Sequence, residues 1–234
     1  MPTVAGIDGC RGGWLCLLRD MQTGAVHHAV LPHIAGLLQL FPIPDVVAID
    51  IPIGLPDTGS RDCDLAARER LGPPRASSVF PAPIRPILNA TTHDSACAIG
   101  HAADGRGLSI QAWCILPKIK EVDAFMQSNG GKQGWIREVH PEVSFCYMNG
   151  GIAMTHKKSR HAGRNERMTL LMQHFGASMF NAIPLRVSGI YATDDLLDAF
   201  AALWSAERIF DGQAVTLPPN PLVDGTGLWM EIVA

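Results

Sequence analysis

The chain has 234 residues, 47% hydrophobic and 18% charged, a balance that excludes disorder and can fill one core without disulfide or metal staples. Its 19 basic and 22 acidic residues leave a net charge of −3, which excludes recruitment of nucleic acid by an overall positive field and leaves only local basic patches for a polyanion. Six cysteines contain no Cys-x-x-Cys, Met1 to Gly6 shows no charged and apolar leader pattern, and no apolar run reaches the ~20 residues of a membrane span, so reduced thiols, a soluble cytoplasmic protein and no membrane partner are expected.

The first element is the apolar run Val4 to Asp8, which ends in a carboxylate and breaks into Gly9-Cys-Arg-Gly-Gly13. A buried aspartate at a strand end is unfavourable unless a cation or hydrogen-bond donors meet it. Trp14 to Arg19 and Ala25 to Leu31 follow across short turns, predicting two hairpins and three antiparallel strands. A dinucleotide-binding or Walker loop feeds a helix N-terminus, whereas this glycine loop feeds a strand and lacks Gly-Lys-Ser/Thr.

A short helix is predicted from Ile34 to Phe41, then a doubly buried strand from Asp45 to Pro52 whose apolar run again ends in an aspartate, Asp50. Residues 53–133 read as a mainly helical insertion after this fourth strand. Ser60 is expected to cap a helix with Asp62 and Asp64 in its first turn, an Asp64 to Arg68 pair at i,i+4 and Gly72-Pro-Pro74 as its stop. Arg75 to Arg85 is too proline-rich for regular structure and reads either as a surface strap or as a phosphate-contacting loop. Helices are predicted over Thr92 to Ala103 and Ser109 to Ser128, the latter disturbed at Pro117, with Ser128-Asn-Gly-Gly131 closing the insertion.

Trp135 to His140 reads as the fifth strand, with Glu138 near its end, and a helix is predicted from Arg164 to Phe175 behind the basic run His156 to Arg167. That run is either a solvated surface or a nucleic-acid contact. Thr193 is expected to cap a long helix over Asp194 to Arg208. Asp194 and Asp195 suit its first turn, whereas Asp198 lies one turn in, beside Ala201, Ala202 and Ser205, small residues that allow close approach to a sheet. Gly212 to Pro221 reads as an extended linker before a last strand from Gly227 to Val233.

Three antiparallel strands, a helix, a strand, an insertion, a strand and then helices is the order of an RNase H-like fold. One α/β domain over 1–234 is expected, with a mixed five-stranded sheet, flanking helices and an insertion at about 53–133. Asp8, Asp50 and Glu138 would then stand at the carboxyl ends of neighbouring parallel strands, where open α/β sheets place their sites, with Asp198 reaching them from the long helix.

Gly6-Ile-Asp-Gly-Cys-Arg-Gly-Gly-Trp14, Ile49-Asp-Ile-Pro-Ile-Gly-Leu-Pro56, Arg61-Asp-Cys-Asp-Leu-Ala-Ala-Arg68, Ser77-Ser-Val-Phe80, Glu138-Val-His-Pro-Glu142 and Asp194-Asp-Leu-Leu-Asp-Ala199 resemble domain-of-unknown-function family 429, described as RNase H-like nucleases. The pair Asp195 and Asp198 resembles the acidic pair on the last helix of RuvC-type nucleases. The resemblance implies nucleic acid as partner and metal-dependent phosphodiester hydrolysis, and it leaves the oligomeric state open.

Clustered carboxylates raise one another's pKa unless cations neutralise them, and hard oxygen ligands suit Mg²⁺ or Mn²⁺, which act in pairs in two-metal hydrolysis. Asp8, Asp50, Glu138 and Asp198 are therefore the expected catalytic residues. Asp8, Asp50, Asp195, Asp198 and Glu142 are the expected metal ligands, and Arg11, Arg75, Ser77, Ser78, Arg85, Lys118 and His140 the expected substrate contacts. Two rivals stand beside this reading. One is a non-catalytic nucleic-acid or protein-binding scaffold of the same fold; the other, an actin- or sugar-kinase-like phosphotransferase, has only Asp224-Gly-Thr-Gly227 as a second phosphate loop.

Overall fold

A computed structural model describes residues 1–129 and 132–234 of the chain. Gly130 and Gly131, predicted to help close the insertion, lie outside the described residues. A five-stranded mixed sheet of order β3-β2-β1-β4-β5 organises the rest. It is built from β1 (Thr3–Cys10), β2 (Gly13–Asp20), β3 (Val26–Leu31), β4 (Val46–Ile49) and β5 (Ile136–Glu138). β1 pairs antiparallel with β2 and parallel with β4, and β4 pairs parallel with β5, as the RNase H-like order requires.

Alternation along the strands divides the core in two. Val4, Leu15, Leu17, Val46 and Ala48 face one way, Ala5, Ile7, Cys16, Val47 and Ile49 the other, and all are buried. The first face is covered by α7 (Thr193–Phe210), which packs on β1, β4 and β2 and, behind, on α4 (Pro141–Met148) and α5 (His161–Phe175). A Cβ added to Gly6 would lie 2.0 Å from the Leu203 amide nitrogen and 2.5 Å from the Ala199 carbonyl, so glycine lets this helix rest directly on the central strand. The helix itself is buried from Leu196 to Glu207, wider than the small-residue stripe alone implies.

The second face is covered by α3 (Ile110–Ser128), whose Ile119, Val122, Phe125 and Met126 join the core. Before it come α1 (Asp62–Leu71) and α2 (His93–Asp104); α6 (Ala177–Asn181), absent from the sequence reading, follows α5. Ser109 and Thr92 cap α3 and α2 as side-chain acceptors, and Pro117 lies inside α3.

Several local expectations are corrected. The predicted helix at Ile34 is a 3-10 segment over Ile34–Gln39. Arg61, not Ser60, is the N-cap of α1, and Asp64 turns back to Arg61 at 2.6 Å rather than forward to Arg68, which donates to the Val79 carbonyl. Ala192 precedes α7, and its amide is capped by Asp195 rather than by Thr193. The predicted linker is largely strand β6 (Thr216–Val223), paired antiparallel with β7 (Trp229–Val233). That hairpin packs on α1 and β5. No helix among the described residues is long and apolar enough to cross a membrane.

Candidate metal centre and its cleft

Strand register brings the first two acids together. The parallel pairing Ile7↔Ile49 places Asp8 beside Asp50 one step further on, and the Asp50 amide donates to the Ile7 carbonyl at 3.0 Å. Both continue the Val4–Gly6 and Val46–Ala48 rows, so they share the face covered by α7, from which Asp198 arrives. Neither the Asp8 nor the Asp50 carboxylate makes a hydrogen bond among the described residues.

Their electrostatics follow from that crowding. Burial pushes the Asp8 carboxyl well up, and Asp50 and Asp198 push it further. Burial and then Asp198 raise Asp50 to about 8. One cation opposes both shifts: Lys158 Nζ donates to Asp198 Oδ2 at 2.5 Å, and its own pKa is driven up by Asp198, then by Asp50 and Asp8, against burial.

Lys158 reaches the acids from the basic run, which is fastened from below. Arg167, fully buried, holds both oxygens of Glu142 at 2.6 and 2.7 Å through Nη2 and donates through Nη1 to the carbonyls of His156 and Gly163. The Thr155 and His156 amides donate to Glu166. Gly163 permits the close turn, since a Cβ there would stand 2.1 Å from the Lys157 carbonyl oxygen. The basic run, expected to be either a solvated surface or a nucleic-acid contact, is therefore divided: Arg167 is a structural pin, and Lys158 is an ammonium inside the acid cluster.

Glu138 reaches the same neighbourhood from the other side of the sheet and adds to the repulsion that raises Asp50. It pairs in register with Ile49, not with Asp50, so it belongs to the opposite face of the sheet. There Arg61 donates to both its oxygens at 2.7 Å, and the Ile53 amide donates at 2.6 Å. Burial pushes its carboxyl up, while the Arg61 guanidinium and the Ile53 amide draw it back. Glu142 is occupied by Arg167, and Asp195 by the Ala192 amide. Burial raises Asp195 against that bond.

A cleft of ≈ 640 Å³ opens on the acids. Asp8, Asp50, Glu138 and Glu142 line it, with Arg75, Ser77, Ser78, Lys118 and His140 among the expected contacts and Lys157 and Lys158 from the strap. Lys118 already donates to the Gly13 carbonyl, with its ammonium 4.4 Å from the Trp14 ring centroid. Its stem passes 2.8 Å from where a Cβ on Gly9 would stand, which gives that glycine a packing role in place of a phosphate-cradling one. His140 contacts the Ser78 carbonyl at 3.3 Å, and burial lowers its pKa. Two expected contacts are outside the cleft: Arg11 is exposed on the β1–β2 turn, and Arg85 is tied to Asp123 and Asp224.

The donor set has the chemistry of a hard divalent cation site, with two carboxylates free of hydrogen bonds and a third sharing one oxygen with an ammonium. It is not preassembled: among the described residues no three His, Cys, Asp or Glu side chains form a metal-holding group. Lys158 and Arg167 are the residues whose roles sequence reasoning missed, since both lie unmarked within the basic run His156 to Arg167. A family model described as "Protein of unknown function (DUF429)" matches residues 6–222. No curated protein and no solved structure matches the chain.

Proposed function

The chain belongs to the DUF429 family, and from that premise and the acid cluster we propose that it is a metal-dependent phosphodiesterase of RNase H-like type acting on nucleic acid or its pieces. The observation that carries this reading is the pair Asp8 and Asp50, set side by side at parallel strand ends without hydrogen-bond partners and facing Asp198. Such a cluster is unfavourable by itself, and burial with mutual repulsion is what a cation relieves. Asp8, Asp50 and Asp198 would hold Mg²⁺ or Mn²⁺, whose chemistry there is Lewis-acid charge neutralisation for transfer of a phosphoryl group to water.

The chain's own residues supply orientation. Gly6 sets the depth of α7 and so the distance of Asp198 from the strands, and the Arg167 pin sets where Lys158 stands. Asp195 holds the α7 N-terminus, and Glu138 with Arg61 fixes the wall of the cleft, so these acids support the site and are not its ligands in this reading.

A non-catalytic scaffold is favoured by one observation, the Lys158–Asp198 pair, because an internal ammonium already offsets part of the cluster. The phosphotransferase reading loses its second loop: Asp224 of Asp224-Gly-Thr-Gly227 accepts from the Leu55, Thr226 and Leu228 amides and from Arg85, closing the β6–β7 turn on itself.

Two measurements separate these. In Mn²⁺ titrations read by heat denaturation, the wild type gains stability and Asp8→Asn does not; equal gains reject the metal site. Single-stranded, duplex, hybrid and branched substrates incubated with Mg²⁺ or Mn²⁺ are cleaved by wild type and spared by Asp198→Asn, and equal cleavage by both proteins rejects the activity.

A further inference from the structure

The cleft holds a buried cation that the acid cluster does not use. Arg75 is 5% exposed, its Nε is buried without a partner, and its guanidinium makes no ion pair or hydrogen bond among the described residues. The other two buried arginines show what such a group requires: Arg61 has Glu138 and Asp64, and Arg167 has Glu142. The Arg75 Nε is shut away from water without a partner, while its two Nη groups, unbonded among the described residues, still touch solvent, so an anion entering the cleft can meet them and is the missing counterpart.

The place is prepared. Arg75 sits in a turn fixed by its own carbonyl, which accepts the Ser78 amide at 2.8 Å, and by the Ala76 amide on the Gly72 carbonyl at 2.8 Å. Ser78, whose hydroxyl makes no hydrogen bond among the described residues, and the exposed Lys157 line the same cleft. So does His140, whose Nδ1 is a second buried atom without a partner. Phe80 and Ile115, 47% and 39% exposed, add an apolar surface on which a flat ring can lie.

Size and charge decide what kind of phosphoester fits. A volume of ≈ 640 Å³ falls within the ~300–1,000 Å³ of small-ligand clefts. Duplex recognition uses roughly 1,000–2,500 Å² of strongly basic protein surface, and this chain carries a net charge of −3.

We propose that Arg75 anchors a non-reacting phosphate of a nucleotide-sized phosphoester, either a free mononucleotide or the end of a single strand, with its base on Phe80 and Ile115. The reaction at the other end of the cleft rests on the phosphodiesterase reading; the binding does not. Binding is therefore measured on the full chain in EDTA, by calorimetry and melting temperature, with inorganic phosphate, thymidine 5′-monophosphate, a 5′-phosphorylated single-stranded tetranucleotide and a blunt duplex.

The monophosphate or the tetranucleotide should bind saturably, the duplex at least tenfold more weakly, and Arg75→Met should lose at least tenfold in affinity, with Arg75→Lys recovering part of it. Equal affinity for the two nucleotide probes identifies the free nucleotide as sufficient, and a tenfold preference for the tetranucleotide identifies the strand end. Without ligand, Arg75→Met should melt at or above the wild-type temperature, because it removes a half-desolvated cation that has no partner.

Undiminished binding by Arg75→Met, phosphate alone binding as well as the nucleotides, duplex binding as tight as the single strand, or an unliganded Arg75→Met that melts lower or fails to fold would each overturn the proposal. The Mn²⁺ response of Asp8→Asn fails or persists independently of these results, so the two readings are tested apart.

Discussion

Lys158 Nζ donates to Asp198 Oδ2 at 2.5 Å, and that one contact places an ammonium inside a group of three aspartates. Its side chain is 47% exposed, so it can leave for water, whereas Asp198, at 6%, cannot. A divalent ion and this ammonium compete for the same carboxylates. Replacing Lys158 by Met should raise Mn²⁺ affinity by roughly tenfold, or ~1.4 kcal/mol, measured by calorimetric titration. The same change leaves the buried Asp198 without its cation, so the metal-free chain should lose stability, more at pH 8 than at pH 5, where Asp50 holds a proton.

The pH dependence has a definite sign. Asp50 titrates near 3.8 in the unfolded chain and at about 8 when folded, so between those values the folded state holds the extra proton and stability falls as pH rises. Lys158 is raised above 10.5, so its contribution stays whole across that window. The urea midpoint of the metal-free protein should drop from pH 5 to pH 8, and Asp50→Asn should flatten the slope. Stabilisation by Mn²⁺ should grow over the same interval, because the ion binds the ionised carboxylates.

On the wall of the cleft, Glu138 and Arg61 are 4% and 2% exposed, and both Glu138 oxygens accept from Arg61. Arg61→Met should destabilise the fold by about 3–5 kcal/mol because it leaves Glu138 and Asp64 buried and unmatched. Glu138→Gln should lower the melting temperature while leaving the Mn²⁺ response in place, unlike Asp8→Asn. A double-mutant cycle of Arg61 with Glu138 should return a coupling well above the ~0.3–0.5 kcal/mol scatter of independent sites.

Gly6→Ala places a methyl 2.0 Å from the Leu203 amide nitrogen, backbone that cannot step aside without moving α7. The expected cost is about 1–3 kcal/mol of stability, read by chemical denaturation. Because α7 carries Asp198, a weaker Mn²⁺ response should accompany it.

The strands that carry the site were readable because their signals are local. Apolar runs ending in Asp8 and Asp50, and a glycine loop feeding a strand, predict the central sheet that is found. Small residues on the long helix likewise foretold its close approach at Gly6. Glu138 shows the limit: it ends its strand as the aspartates do, yet pairing with Ile49 instead of Asp50 puts it on the other face, and that parity depends on register between segments far apart in the chain. The partners Arg61–Glu138, Glu142–Arg167 and Lys158–Asp198 are separated by 77, 25 and 40 residues. Nothing periodic announces such pairs. Strand β6 was hidden for a different reason, its prolines at 218, 219 and 221, which argue against a central strand but are tolerated in a two-stranded ribbon.

The Arg167 anchor bears on time as well as on place. With the His156 and Gly163 carbonyls both held by one fully buried guanidinium, the backbone that carries Lys158 is fixed, and the ammonium can leave Asp198 only by rotation about its own side-chain bonds. Exposed side chains change rotamer in picoseconds to nanoseconds, whereas loop rearrangement takes nanoseconds to microseconds or longer. Exchange of one cation for another at the aspartates should therefore be a single fast phase with no lag, and at fixed pH its rate should follow ion concentration.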